Sequence, residues 1–220
     1  MMGHDAVQDP AGLEIVLASA SPRRRDLLAR LGVPFRVVAS HVDESADGLT
    51  PRALVAEVAS RKAWAVAKWL DLEQGPPGRS ILVIGADTVI ECDGQIMGKP
   101  VNAADAVAML TRLSGRSHSV LTGVSVILAR HGQCSTATGV DESRLIFRTL
   151  SADEIQCYVD SGEPLDKAGS YAIQGAGAAF VQILNGSHSN VVGLPLSLLR
   201  QLSRQVGVDL PHISGEWDGP

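Results

Sequence analysis

Two apolar runs too short to be helices, Ile15–Ala18 and Ile81–Ile84, are separated by segments carrying complete helix-start signals. That alternation restricts the chain to an α/β architecture. Ser21-Pro22 opens a first helix, with Ser at the cap, Pro in the first turn, an apolar stripe of Leu27, Leu28 and Leu31, and Gly32 at its end. Thr50-Pro51 starts a longer helix reaching about Leu70. Asn102 with Asp105 caps a third, closed by Gly115. Ser151 and Glu154 form a capping box for a short one ending near Gly162, and Pro195 opens a last helix that stops at Gly207. Val89-Ile90 and Ile96-Met97 flank an Asp93-Gly94 hairpin turn. Further strands are expected over Phe35–Ser40, Ser119–Ala129, Ser135–Val140, Arg144–Arg148, Tyr171–Ile173 and Ala179–Leu184. With hairpins interrupting the strand–helix alternation, the sheet is expected to be mixed rather than purely parallel.

Composition removes several classes. With 45% apolar residues and a net charge of -5 over 220 residues, the chain is not disordered. It is mildly acidic and no Lys/Arg run exceeds three, which excludes a generic nucleic-acid binder. The three cysteines form no CxxC pair, so neither a structural zinc site nor a disulfide framework is expected. Asp5, Asp9 and Glu14 precede the first apolar run, where a secretory signal needs basic residues. This predicts a cytoplasmic protein with a flexible leader at 1–12 and a weakly patterned tail at 207–220. Ser170–Leu199 lacks charge, but Gln174, Gln182 and the polar stretch Asn185–Asn190 break it, so no membrane contact is expected. The Glu73–Gly78 loop is the best candidate for a boundary between lobes. There is no GxxxxGK[ST], no GxGxxG after a strand, no HExxH and no GxSxG.

Charge placement carries the chemistry. Arg23, Arg24 and Arg25 occupy the first turn of the Ser21 helix, where the macrodipole makes exposed cations unfavourable by about 0.3–1 kcal/mol each. A bound anion reverses that sign, because free N–H groups and guanidinium forks both favour phosphate oxygens; a solvated basic turn is the plainer alternative. Lys62 falls on the apolar stripe of Val55, Val58, Ala65 and Trp69, either snorkelling at the core's edge or aimed inward at an anion. Asp87 follows the Ile81–Ile84 strand beside Gly85, where ligands collect in open α/β sheets; a turn residue is the alternative. Lys99 lies in the rigid Gly98-Lys-Pro100 turn. Asp43 and Glu44 are adjacent acids, placed to bind Mg²⁺ or simply solvated. Glu163, Asp166 and Lys167 sit in a loop-forming stretch from Gly162 to Gly169 that is equally a surface loop. Taken together, three cationic places and several acids suit metal-assisted chemistry on a phosphorylated small molecule.

Eight collinear blocks resemble the Maf family of nucleoside triphosphate pyrophosphatases. They are LASASPRRRDLL at 17–28, VDES at 42–45, SRKA at 60–63 and IGADTVI at 84–90, followed by GKP at 98–100, LSGRSHSVLTGV at 113–124, SGEPLDKAGSYAIQG at 161–175 and NVVGLPL at 190–196. The resemblance implies one catalytic domain over 13–206, built as an elongated mixed α/β sheet with flanking helices in two lobes. This fold is related to inosine-triphosphate pyrophosphatases, with a cleft between the lobes and commonly a homodimer. It implies hydrolysis between the α and β phosphates with a divalent cation, Mg²⁺ or alternatively Mn²⁺.

Carried onto matching positions, Ser19, Arg23 and Arg24 hold the phosphates, and Lys62 and Lys99 add positive charge. Asp87 acts with the metal, either as its ligand or as base, and Glu44 is a second metal contact. Thr88 and Gln174, with Arg23, lie where the family sets base specificity, and Asp166 and Lys167 line the same cleft. A Gln side chain offers one donor and one acceptor, matching uracil or thymine. The implied substrates are dTTP, UTP and modified pyrimidine triphosphates, with a role in cell-division arrest. The alternatives are a non-catalytic nucleotide-binding regulator of septum formation and an enzyme preferring 7-methyl-GTP.

Overall fold

The structure, a computed structural model, describes residues 12–45, 48–72 and 79–211. In chain order the elements are β1 (Leu13–Leu17), α1 (Pro22–Ala29), β2 (Arg36–Val37), α2 (Pro51–Trp69), β3 (Ser80–Cys92), β4 (Gln95–Met97), α3 (Ala103–Leu113), β5 (Ser117–Arg130), β6 (Gln133–Phe147), α4 (Ala152–Asp160), β7 (Val181–Asn185), α5 (His188–Val192) and α6 (Leu196–Gln205). Short 3₁₀ turns cover Glu163–Asp166, Ala168–Ser170 and Ala176–Phe180. The strands form one mixed sheet in the order β2-β1-β3-β5-β6-β7, with β4 added to β3. β1 is parallel to β2 and β3, whereas β4 pairs antiparallel with β3 and β7 with β6.

The chain divides into two compact units. The first holds the residues up to Asp87, Thr122–Asp141 and the chain from Gly193 through α6. The second holds Thr88–Leu121 and Glu142–Val192.

In the first unit, Val16, Val83, Ile127, Ala63 and Val66 share one buried cluster. Thr50 caps α2 by accepting the Ala53 N–H at 3.3 Å, and Pro51 fits the first turn. The buried face of α2 is Val55, Val58, Ala59, Lys62, Ala63, Val66 and Ala67. Its small residues let the helix backbone touch the sheet. A Cβ on Gly85 of β3 would lie 2.3 Å from the Ala59 carbonyl oxygen, and one on Gly123 of β5 would lie 2.1 Å from that of Val55. No side chain fits at either place, so these two glycines set how closely α2 lies on β3 and β5. Residues two apart on a strand share a face, so Asp87 emerges on the same side of β3 as Gly85.

In the second unit, Phe147, Tyr158, Tyr171, Phe180, Leu110 and Leu113 build the core. The Ser151–Glu154 capping box forms at the start of α4 as expected. His118 is buried among the aromatic rings, 4.8 Å edge-on from Phe147, with Nε2 2.9 Å from the Tyr171 hydroxyl. Among the described residues its Nδ1 has no hydrogen-bond partner, and burial lowers the ring's pKa to about 4.

Several expectations are corrected. β3 does not end at Gly85; it continues to Cys92, because Gly85 is a close-approach glycine rather than a turn. Asp87 therefore lies mid-strand. Trp69 is 71% exposed, because the buried face of α2 is carried by the Val58-Ala59, Lys62-Ala63 and Val66-Ala67 pairs and lies to one side of the Ala65–Trp69 line. The strand expected over Phe35–Ser40 shrinks to Arg36–Val37, an edge strand with a ladder on one side only. The two strands expected between Ser135 and Arg148 are one, β6, which runs through Gly139 where Leu198 and Leu202 of α6 approach. Tyr171–Ile173 is not a strand. Gly169 and Ser170 before it take positive φ of 64° and 60°, and the Ala172 N–H bonds a side chain instead of a ladder. The Glu73–Gly78 loop, residues 1–11 of the leader and residues 212–220 of the tail lie outside the described residues. Among the described residues no helix is long and apolar enough to cross a membrane.

Candidate active site

Of the cations singled out in the sequence, Arg23, Arg24, Arg25 and Lys62 lie in the first unit. Ser21 caps α1 through the Arg24 N–H, and Pro22 follows, so the turn that carries the three arginines is well formed and contains no acid. Arg24 folds back from it: Nε donates to the Gly193 carbonyl at 2.7 Å and Nη1 to Ser19 Oγ at 3.3 Å. Burial lowers the Arg24 pKa, with Arg23 adding to that effect, while the Asp87 and Glu44 charges oppose it. These acceptors and acids answer the charge of the half-buried guanidinium.

Lys62 is the hinge of the arrangement. Its Nζ is 2.7 Å from Asp87 Oδ1 and 2.7 Å from Glu44 Oε1. The Lys62 side chain is 7% exposed and that of Asp87 11%, so the ammonium does not snorkel to solvent but meets two carboxylates of the chain itself. The neighbouring residue on α2 places Glu44. Arg61 Nη1 donates to the Asp43 and Ser45 carbonyls at 3.3 and 2.9 Å, on either side of Glu44, while its Nε pairs with Glu57. Asp43 is occupied locally; it accepts the Ser45 N–H and hydroxyl, which hold its carboxyl below the usual carboxylate range. α2 therefore supplies both the ammonium that bridges two carboxylates and the guanidinium that pins the segment carrying one of them.

Among the described residues no group of three or more His, Cys, Asp or Glu is placed to hold a metal ion. The two carboxylates that share Lys62 Nζ are nonetheless the donor set that suits Mg²⁺, which typically takes one or two carboxylates together with substrate phosphates rather than an all-protein cage.

The second unit carries the other candidates. Thr88 is half-buried on β3, Lys99 is exposed in the loop between β4 and α3, and Gln174 and Asp166 are exposed. Lys167 Nζ donates to the Glu163 carbonyl at 2.7 Å and to Asp166 Oδ1 at 2.5 Å. Glu163, the remaining charged residue of the Gly162–Gly169 stretch, organises this region. Its Oε1 accepts the Tyr158 hydroxyl at 2.8 Å and the Gly177 N–H at 3.5 Å, and Oε2 accepts the Ala176 N–H at 3.2 Å. Tyr158 in turn accepts the Ala172 N–H at 3.1 Å. Burial works against the Glu163 charge, but these donors outweigh it and hold the carboxyl below its ordinary value. Burial, helped by the Glu163 carboxylate, pushes the Tyr158 hydroxyl well up. Nothing in the sequence marked Tyr158 or the Gly193 carbonyl as functional, since each acts through a contact formed only by the fold.

A family model described as Maf-like protein matches residues 14–206. Similar curated proteins include the dTTP/UTP pyrophosphatase of Moorella thermoacetica, 48% identical over 200 residues, covering 90% of this chain and 97% of that protein. The dTTP/UTP pyrophosphatase of Pelotomaculum thermopropionicum is 46% identical over 198 residues, covering 90% and 98%. That of Desulforamulus reducens is 46% identical over 197 residues, covering 89% and 98%.

Proposed function

The chain belongs to the Maf family, and from that premise we propose that it is a nucleoside triphosphate pyrophosphatase hydrolysing dTTP and UTP to the monophosphate and pyrophosphate. The observation that carries the proposal is the Lys62 ammonium shared by Asp87 and Glu44, in the same unit as the half-buried Arg24. It combines cations for a polyphosphate with a carboxylate able to take a proton.

The substrate brings several negative oxygens to a chain of net charge -5, so attraction must be local. Arg24, Arg23 and Ser19 at the start of α1 offer guanidinium and hydroxyl groups to the phosphates at the positive end of the helix. Asp87 accepts the proton of the water that attacks the α-phosphorus, and the bond to the bridging oxygen breaks to release pyrophosphate. Lys62 fixes the direction of that carboxylate, donating to Oδ1 at 2.7 Å. Asp87 and Glu44 would hold the divalent ion, Mg²⁺ or alternatively Mn²⁺. Bound there, such an ion neutralises phosphate charge and makes water more acidic. Lys99 adds a further cation. Thr88 and Gln174 read the base, and the donor–acceptor pair of Gln174 suits a 4-keto pyrimidine. Asp166 and Lys167 support the stretch that leads to Gln174. A homodimer and a cytoplasmic location belong to the same proposal, the former tested by sedimentation.

The test is pyrophosphate release from a panel of dTTP, UTP, CTP and 7-methyl-GTP with Mg²⁺. The first two should give the highest kcat/KM. Asp87→Asn keeps an oxygen for Lys62 and should retain nucleotide binding while lowering kcat about 10²–10⁴-fold. A folded protein that releases no pyrophosphate from any triphosphate would refute the proposal, and near-full turnover by Asp87→Asn would refute the role of Asp87.

A further inference from the structure

The Glu163 carboxylate ties three separate parts of the second unit to one point. It receives the Tyr158 hydroxyl from α4 and the Ala176 and Gly177 N–H groups from the 3₁₀ turn that follows Gln174. Tyr158 Oη, already donating to Glu163, takes the Ala172 N–H on the near side of Gln174. Residues 172 and 176, which bracket Gln174, are thus held by one hydrogen-bonded pair. The pair is packed to the limit, since a Cβ on Gly175 would lie 2.3 Å from Glu163 Oε1. That glycine has an ordinary φ of -137°, so its missing side chain answers the carboxylate and not the backbone conformation. Glu163 itself is only partly exposed and lies thirteen residues from Ala176, so the bond is tertiary.

Resting on the reading of Gln174 as a base-recognising residue, we infer that Glu163, through Tyr158, is a positioning residue that sets pyrimidine selectivity. It does so by fixing the backbone on both sides of Gln174. Uracil and thymine present an acceptor at O4 beside a donor at N3, and cytosine presents the reverse. One amide orientation fits the first pair and its flipped form fits the second. The amide turns about its own χ3, so the clamp acts by holding Gln174 where its amide reaches the O4 and N3 edge of the base. A backbone released at 172–177 loses that reach and with it the preference for this edge. Selectivity of this kind arises from unpaired polar groups against the wrong ligand.

Glu163→Gln replaces an oxygen that accepts a backbone N–H with an amide that cannot, so one arm of the clamp must open. Gly175→Ala drives the carboxylate aside while leaving it ionised, and provides a second variant should the first fold poorly. The experiment measures kcat and KM for UTP and CTP in the wild type, both variants, Gln174→Ala, and Glu163→Gln combined with Gln174→Ala. Amide hydrogen exchange at Ala176 and Gly177 is measured in the nucleotide-free protein. The UTP:CTP ratio of kcat/KM should fall about tenfold in both clamp variants, mainly through KM for UTP. In the double variant it should fall no further than in Gln174→Ala alone. The two amides should exchange at least about tenfold faster in Glu163→Gln. A merely structural role would slow both substrates equally and add to Gln174→Ala; either result overturns the inference, as does unchanged exchange. A wild type without UTP turnover overturns the pyrophosphatase reading and the selectivity role with it, and faster exchange would then show only that the clamp exists.

Discussion

His118 makes a quantitative prediction about acid stability. The ring is 3% exposed between Phe147 and Tyr171, and among the described residues its only hydrogen bond is to the Tyr171 hydroxyl. Protonation would place a charge where neither water nor an acid can answer it, so the folded protein holds the ring neutral down to about pH 4, against 6.5 in the unfolded chain. The unfolded state therefore binds a proton first as pH falls. Stability is full above about 6.5, declines between 6.5 and 4, and the loss is complete below the folded value. At about 1.36 kcal/mol per pH unit of difference, the loss amounts to about 2 kcal/mol at pH 5 and about 3 kcal/mol at pH 4. Many carboxylates titrate in the same range, so the assay is differential: urea unfolding of the wild type and His118→Phe at several values from pH 7.5 to 4. The variant costs a constant amount for the stranded Tyr171 hydroxyl but has no proton to bind. The gap between the two curves should change by about 3 kcal/mol over that range, in favour of the variant at low pH. Parallel curves would show that the ring is hydrated or charged in the folded state and would refute the reasoning.

Two further predictions concern α2. Gly85→Ala forces a methyl against the Ala59 carbonyl at 2.3 Å, so the helix backbone must move; a loss of about 3 kcal/mol is expected, the upper end of overpacking, together with lost turnover. An unchanged melting temperature would mean that the contact yields freely. Lys62→Met leaves Asp87 and Glu44 without their shared cation and should cost about 2–3 kcal/mol in urea unfolding, less than a fully buried pair because Glu44 is largely exposed. Adding Asp87→Asn should recover most of that loss, and simple additivity of the two changes would refute the pairing argument.

What could be read from the sequence follows a physical line. The helix starts at Ser21, Thr50, Asn102 and Ser151 were legible because each cap bonds a backbone N–H three residues on, a contact that needs no fold. Arg23, Arg24 and Lys62 stood out because each breaks a local rule of charge placement. Their partners were hidden. Lys62 meets Asp87 across 25 residues, Arg24 meets the Gly193 carbonyl across 169, and Glu163 reaches Ala176 across 13. Gly85 shows how local reading misleads. A glycine after an apolar run looks like a turn, yet here it answers a helix packed onto the strand, so β3 continues and Asp87 sits within it. Trp69 was misplaced for a related reason: the faces of α2 that touch the sheet are built from alanines, which carry little hydrophobic signal.

The contact of α2 with Gly85 and Gly123 has a consequence for how such a protein can diverge. Main chain rests on main chain there, so the spacing from the ammonium to the carboxylate is inherited with the peptide itself and owes little to replaceable side chains. Apolar neighbours such as Val66 or Val83 can be resized over many generations while the Lys62–Asp87 pair stays in step. Novelty is left to arise where recognition is spelled in side chains alone.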